Sequence, residues 1–217
     1  MAPQHATTLA ETVAPTGARY RDLPTEVLAA VPAPRPAHWS EVRRTVELID
    51  ADGEWTLLLT PRPDQASRWP FEATTLATAV ARTTRRLRLV IPVDDERVAP
   101  YHLARYLTTL AYAAGDRLVL GARRPADEAE RRRRDEHLAV VRALWGSWTQ
   151  DAILADRASG RFFDPSLVRD IDFVGEHFEV KGALNLPAPR TPFPEVVPLP
   201  PSPAATAPAA PTREDLR

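Results

Sequence analysis

The sequence predicts an α/β fold in which successive βαβ units build a parallel sheet. Three observations carry this. Short apolar runs bounded by Gly or Pro, at 55–60, 87–93 and 118–120, read as strands buried on both faces. Between them lie longer stretches whose apolar residues return every three or four positions, the period of a helix packed on one side. The two kinds alternate, and right-handed crossovers turn such an order into a parallel sheet with helices outside it.

In chain order, residues 1–36 show no repeating apolar pattern beyond Leu23, Val27, Leu28 and Val31, and no strand is predicted there. From His38 the pattern firms up. Ser40 stands where an N-cap is expected, and Trp39, Val42, Val46 and Ile49 share one helical face. Asp52-Gly53 ends that helix and Trp55–Thr60 is the first predicted strand. Phe71–Leu87 reads as a helix with Leu76, Ala79, Val80 and Thr83 inward, followed by a strand at Leu87–Val93. Pro100, suited to a first helical position, opens the next helix, with Leu103, Tyr106, Leu107 and Leu110 as its buried stripe. Gly115 stops it, Leu118–Leu120 is a third strand, and Asp127–Trp148 is a long helix with Leu138, Val141, Trp145 and Trp148 on one side. A hairpin follows at Ile171–Val180 around a two-residue Gly175-Glu176 turn, and a weak strand at Pro194–Leu199.

Composition bounds the rest. The 28 basic and 29 acidic residues nearly cancel, so no global field points to nucleic acid or to an acidic surface. There is no cysteine, which removes disulfides and thiolate metal sites. The histidines (5, 38, 102, 137, 177) are too scattered for a local metal motif, and no metal is expected. No apolar run is long enough to cross a membrane, and a cytoplasmic protein is expected. Of 23 prolines, six fall in 1–36 and ten in 187–211. These ends are therefore expected to be a mobile N-terminal segment, 1–36, and a disordered Pro/Ala-rich tail, 187–217, flanking an ordered domain at 37–186.

One stretch is more specific. It reads Leu144-Trp145, Ser147-Trp148, Asp151-Ala152, then Asp156 through Asp164-Pro165, Ile171-Asp172, Gly175, His177-Phe178, Val180, Gly182 and Leu184-Asn185-Leu186-Pro187. This spacing resembles the luciferase-like flavin-dependent monooxygenases, in their nitrilotriacetate monooxygenase component A branch. The resemblance implies a TIM-barrel-like fold of the bacterial luciferase type. With about 250 residues usual for such a barrel, the expectation is a partial (β/α) barrel with a hairpin insertion at 151–186. It further implies reduced FMN as cofactor, O₂ as co-substrate and a separate flavin reductase as partner, the flavin supplying the oxygen chemistry.

The family's flavin contacts follow the strand ends, which here puts candidate cofactor-binding positions at Thr60, Asp94 and Gly121. The matching side chains differ, however. The family's acidic residue falls at Arg62, its strand-three hydroxyl near Val93 and Asp94, its Trp-Asn pair on Leu120-Gly121 and its Arg-Tyr pair on Glu130-Arg131. Residues 197–202, where the phosphate loop is expected, carry Pro198, Pro200 and Pro201, which lack N–H donors. No catalytic residue is assigned. Two functions remain open: a reduced-flavin monooxygenase with weak or lost flavin binding, or a non-catalytic partial barrel that pairs with itself or with a homologue.

Four local features have a functional and a plain reading. Arg131–Arg134 is either an anion contact or, more often, a solvated helix face balanced by Glu128 and Glu130. Asp94-Asp95-Glu96 is either a base or metal cluster or a loop favoured by the following helix dipole. His102 is either catalytic or a surface histidine. Trp145, Trp148, Phe162 and Phe163 either stack on a flavin or plug the base of the hairpin.

Overall fold

The structure is a computed structural model and describes residues 12–13, 19–22, 39–52, 56–58, 73–93 and 97–199. In chain order it begins with β1 (Thr12–Val13), β2 (Arg19–Asp22), α1 (Trp39–Asp52), β3 (Thr56–Leu58), α2 (Ala73–Thr83) and β4 (Arg88–Pro92). Next come α3 (Pro100–Ala114), β5 (Leu118–Ala122) and α4 (Glu128–Trp145). Two hairpins follow, β6 (Ile153–Asp156) with β7 (Arg161–Phe163) and β8 (Ile171–Val174) with β9 (Glu179–Gly182), and then β10 (Glu195–Pro198).

The main sheet runs β1-β2-β3-β4-β5-β10, parallel throughout except for the β1–β2 pair. One of its members corrects the sequence reading. β2 lies in the segment expected to hold no strand, because three of its four residues are charged and no apolar alternation marks it. Its pairing is set instead by the ladder to β3, with Tyr20 opposite Thr56 and Asp22 opposite Leu58. β10 is the weak strand expected at 194–199, although that stretch also falls within the expected tail, and it pairs Val196 with Leu120. The sheet therefore extends on both sides of residues 37–186.

Alternation along the strands gives the sheet two faces. Leu57, Leu89, Ile91, Leu118 and Leu120 pack into one cluster with Val42 and Val46 of α1, Leu76 and Val80 of α2, Leu103 and Leu107 of α3, and Val141 and Leu144 of α4. Val90, Val119 and Val197 form a second, separate cluster on the other face with Leu199. Tyr106, expected on the buried stripe of α3, is 44 % exposed, and Ala104, Thr108 and Ala111 fill that face instead. Pro100 does open α3, and Gly115 closes it with φ of 64°. Helix α1 starts at Trp39, so Ser40 lies inside it rather than at its cap. Helix α4 stops at Trp145, leaving Trp148 beyond its end.

Below the N-terminal ends of β4 and β5 two charged groups tie the layers together. The Asp50 carboxylate, on α1, accepts the backbone N–H groups of Arg85, Arg86 and Leu87 at 2.9, 2.7 and 2.9 Å. Arg117 donates to the carbonyls of Ala81, Leu87 and Ala114 and to the Thr84 hydroxyl, all within 3.2 Å. A third clasp holds the second hairpin. Glu136 of α4 accepts the N–H groups of Glu176, His177 and Phe178 at 3.1, 2.9 and 2.8 Å. That loop has four residues, not the two expected, since Val174 pairs with Glu179 and the Gly175 N–H meets the Phe178 carbonyl at 2.9 Å. The longer loop is what presents three N–H groups to one carboxylate. A Cβ at Gly175 would meet that carboxylate, so a larger residue would have to displace the Glu136 side chain from its clasp.

Candidate functional site

Ligand sites of parallel α/β sheets lie beyond the carboxyl ends of the strands. Of the three positions named from sequence, Thr60 and Asp94 lie outside the described residues, as does the Asp94-Asp95-Glu96 cluster. Gly121 is buried near the end of β5, and its carbonyl accepts the Val93 N–H at 2.8 Å. It faces the second cluster, where an added Cβ would collide with the side chains of Leu199 and Val90. Leu199 is held there because its N–H extends the ladder to the Ala122 carbonyl at 2.9 Å. The missing side chain of Gly121 is thus replaced by a leucine, and Val90, Val119 and Val197 beside it are 0, 2 and 7 % exposed.

Just outside this packed end is a cleft of about 550 Å³ between the β5–α4 loop and the end of β10. Its rim carries Arg123 and Arg124, both exposed, and its wall includes Arg134 and Leu138 of α4. Arg134 donates to the Arg123 carbonyl at 3.1 Å and pairs with Asp135 at 2.9 Å, which fixes the loop to the helix. Arg124 was not singled out from sequence. Only its position beside the strand end marks it, three residues past Gly121.

Of the other substituted positions, Arg62, Pro200 and Pro201 lie outside the described residues. Leu120 is fully buried on the helix side. Glu130 accepts the Ala126 N–H while Asp127 caps the Glu130 N–H, a reciprocal helix start. Arg131 pairs with Glu128 and Asp135. The remaining arginines of that run are similarly engaged, Arg132 with Glu176 at 3.5 Å and Arg133 over the Phe178 ring at 4.9 Å. The plain reading of the run is the observed one, with Glu130 serving as a cap in place of the expected ion pair. His102 is exposed and stacks on Tyr106 with centroids 6.4 Å apart. His137, which the sequence did not single out, is fully buried and donates from Nε2 to the Val98 carbonyl at 2.8 Å.

The aromatic group divides, its two tryptophans packing inward and its two phenylalanines lying exposed. Trp145 is buried edge-on against Phe193 at 5.6 Å. Trp148 packs on Phe163 at 5.3 Å and donates its indole N–H to the Leu184 carbonyl. The buried Ser147 hydroxyl donates to the Leu144 carbonyl at 2.7 Å and accepts the Leu184 N–H at 3.0 Å. Phe162 and Phe163, by contrast, are 64 and 39 % exposed. Asp156 and Asp164 each hold a local turn, through Ser159 and Ser166 respectively, and those hydrogen bonds lower both carboxyl pKa values. The 144–187 signature is therefore largely a set of folding contacts. Among the described residues no three His, Asp or Glu side chains gather as a metal site, and no helix is long and apolar enough to cross a membrane.

Comparison with known proteins gives a consistent neighbourhood. The family model for luciferase-like monooxygenases matches residues 22–211. A pristinamycin IIA synthase subunit of Streptomyces pristinaespiralis is 34 % identical over 178 residues, covering 81 % of this chain and 60 % of that protein. Nitrilotriacetate monooxygenase component A of Aminobacter aminovorans is 30 % identical over 142 residues, covering 58 % of this chain and 31 % of that protein. In three dimensions the chain resembles the crystal structure of a long-chain alkane monooxygenase, with TM-score 0.58 and 23 % identity, covering 73 % of this chain and 43 % of that one. A riboflavin lyase structure gives TM-score 0.58 at 22 % identity, with 71 and 41 % coverage. The chain thus spans less than two thirds of the length of each of these relatives.

Proposed function

Because this chain belongs to the luciferase-like monooxygenase family, we propose that it keeps part of that family's barrel, with a hairpin insertion at 151–186, while its flavin site is weak or lost. The packing of Leu199 and Val90 over Gly121 carries this reading. An isoalloxazine or ribityl chain needs open space and hydrogen-bonding groups at the strand ends. Here the described end of β5 offers an apolar plug, and Glu130 and Arg131 are already committed within α4. The described residues do not fit FMN, and no catalytic step is assigned to them. In a relative that keeps the site, reduced FMN from a flavin reductase would activate O₂, and nitrilotriacetate monooxygenase component A is by its name one component of a monooxygenase.

Titrating FMN into the protein while following flavin fluorescence tests the proposal. No saturable change up to high-micromolar flavin is expected. Saturable binding in the low-micromolar range would overturn it and restore the enzymatic reading.

The second reading is a non-catalytic subunit. Within the main sheet β10 pairs only with β5 among the described residues, so its other edge is open to a partner. The relative from Streptomyces pristinaespiralis is itself named as one part of a synthase.

A further inference from the structure

We propose that residues 212–217 of this chain dock back into the cleft beside β10, with Glu214 on its arginine rim and Leu216 on its apolar wall. The cleft, of about 550 Å³, has Leu138, Val196 and Leu199 in its walls. Of its charged residues, Arg134 and Asp135 answer each other at 2.9 Å, and Arg131 makes a second pair with Asp135. Arg123 and Arg124 are exposed and meet no carboxylate among the described residues. The charge left over is therefore positive and lies beside apolar surface. That combination fits a carboxylate carried next to an apolar side chain.

What selects the chain's own segment is where the chain leaves the sheet. Leu199 lines the cleft and gives its N–H to the Ala122 carbonyl at 2.9 Å. Pro200 and Pro201 bring no N–H to extend that ladder, so its donors end beside the cleft. From Pro200 to Thr212 the sequence carries no charge, and the first acidic residues after it are Glu214 and Asp215, followed by Leu216. Docked in extended form, alternate residues share a face. Glu214 and Leu216 then turn to the cleft, while Asp215 stays with Arg213 and Arg217 on the side away from it. The twelve residues 200–211 reach about 37 Å at roughly 3.1 Å each, ample for a return over a cleft that Leu199 itself lines. Such a tether gives an effective concentration on the order of millimolar. One exposed ion pair and one leucine then suffice for occupancy, whereas a free peptide of the same sequence has no such help.

The flavin site plays no part in this contact, so the test reads proximity instead of flavin binding. The chain has no cysteine, and Pro125→Cys with Thr212→Cys places one at the rim and one on the docking face. Oxidation of the full chain at low micromolar concentration, followed on non-reducing gels, should give a disulfide within one chain. On that background Glu214→Arg alone, or Arg124→Glu alone, should slow its formation by roughly threefold to tenfold, and the double exchange should restore most of the rate. Leu216→Ser should slow it as well. Glu214→Arg and Leu216→Ser touch none of the contacts described above, so they decide the matter even if Arg124→Glu fails to fold. A rate indifferent to both of them overturns the proposal, because the tether alone then explains the contact. A disulfide that forms only between chains, or none at all, also overturns it.

Discussion

Replacing Arg117 by methionine should lower the stability of the fold by about 3 kcal/mol, because a charged donor with several partners is lost and its acceptors are left in a partly dry site. The guanidinium reaches three carbonyls, those of Ala81, Leu87 and Ala114, together with the Thr84 hydroxyl. No single methionine atom replaces those bonds, although the stem can still pack. Arg117→Lys should recover only a part, since one ammonium cannot span acceptors arranged for a planar fork. Urea unfolding would show the loss as a lower midpoint with an unchanged slope. An Arg117→Met midpoint equal to the parent's would sink the argument.

The same corner makes stability depend on acid. Burial pushes the Asp50 carboxyl pKa up, but the N–H groups of Arg85, Arg86 and Leu87 and the nearby Arg117 charge together outweigh it, so the folded-state pKa is lowered. A lowered carboxyl pKa contributes stability that is complete above the unfolded value, about 4, and is lost as pH falls through the folded value. Glu136 is shifted in the same direction. Burial raises it and the N–H groups of His177, Phe178 and Glu176, with the His177 charge, more than reverse this. Unfolding free energy should therefore hold near neutrality and fall below about pH 4. Asp50→Asn should be less stable at neutral pH and lose less on acidification. An unchanged slope against pH would show that Asp50 does not couple to folding.

What could be read in advance follows the range of the interactions. Pro100 and Gly115 announce the two ends of α3 because each acts through its own backbone geometry. The apolar runs announce β4 and β5 because burial on both faces needs no distant information. Strand β2 leaves no such trace, since its charged residues are ordered by a ladder to β3 more than thirty residues away. The clasp of Glu136 on the hairpin spans about forty residues and has no local signature. At the candidate site, the strand-end rule located Gly121 but not its role. Whether a strand-end glycine admits a ligand or a leucine is decided by Leu199, which arrives only after two hairpins. The 144–187 motif shows the converse. Its residues were legible as a family pattern, yet most of their visible work is to hold the chain against itself.

That last point can be measured at Trp148. Its indole covers Phe163 and its N–H reaches the Leu184 carbonyl, while Ser147 next to it receives the Leu184 N–H. The two side chains thus grip both polar groups of one buried residue, and with it the path from the hairpins back to β10. Trp148→Ala should cost about 3 kcal/mol, from lost apolar contact and an unanswered carbonyl. Trp148→Phe keeps a ring but not the donor and should cost about 1 kcal/mol. Ser147→Ala should cost about 1–2 kcal/mol, and the Ser147→Ala/Trp148→Ala pair less than the sum, because the first loss already loosens Leu184. Limited trypsin digestion should report the same order, with cleavage at the exposed Arg157 and Arg161 quickest in Trp148→Ala. A flavin-stacking tryptophan would behave oppositely: Trp148→Phe would alter the response to FMN and leave the unfolding midpoint where it was.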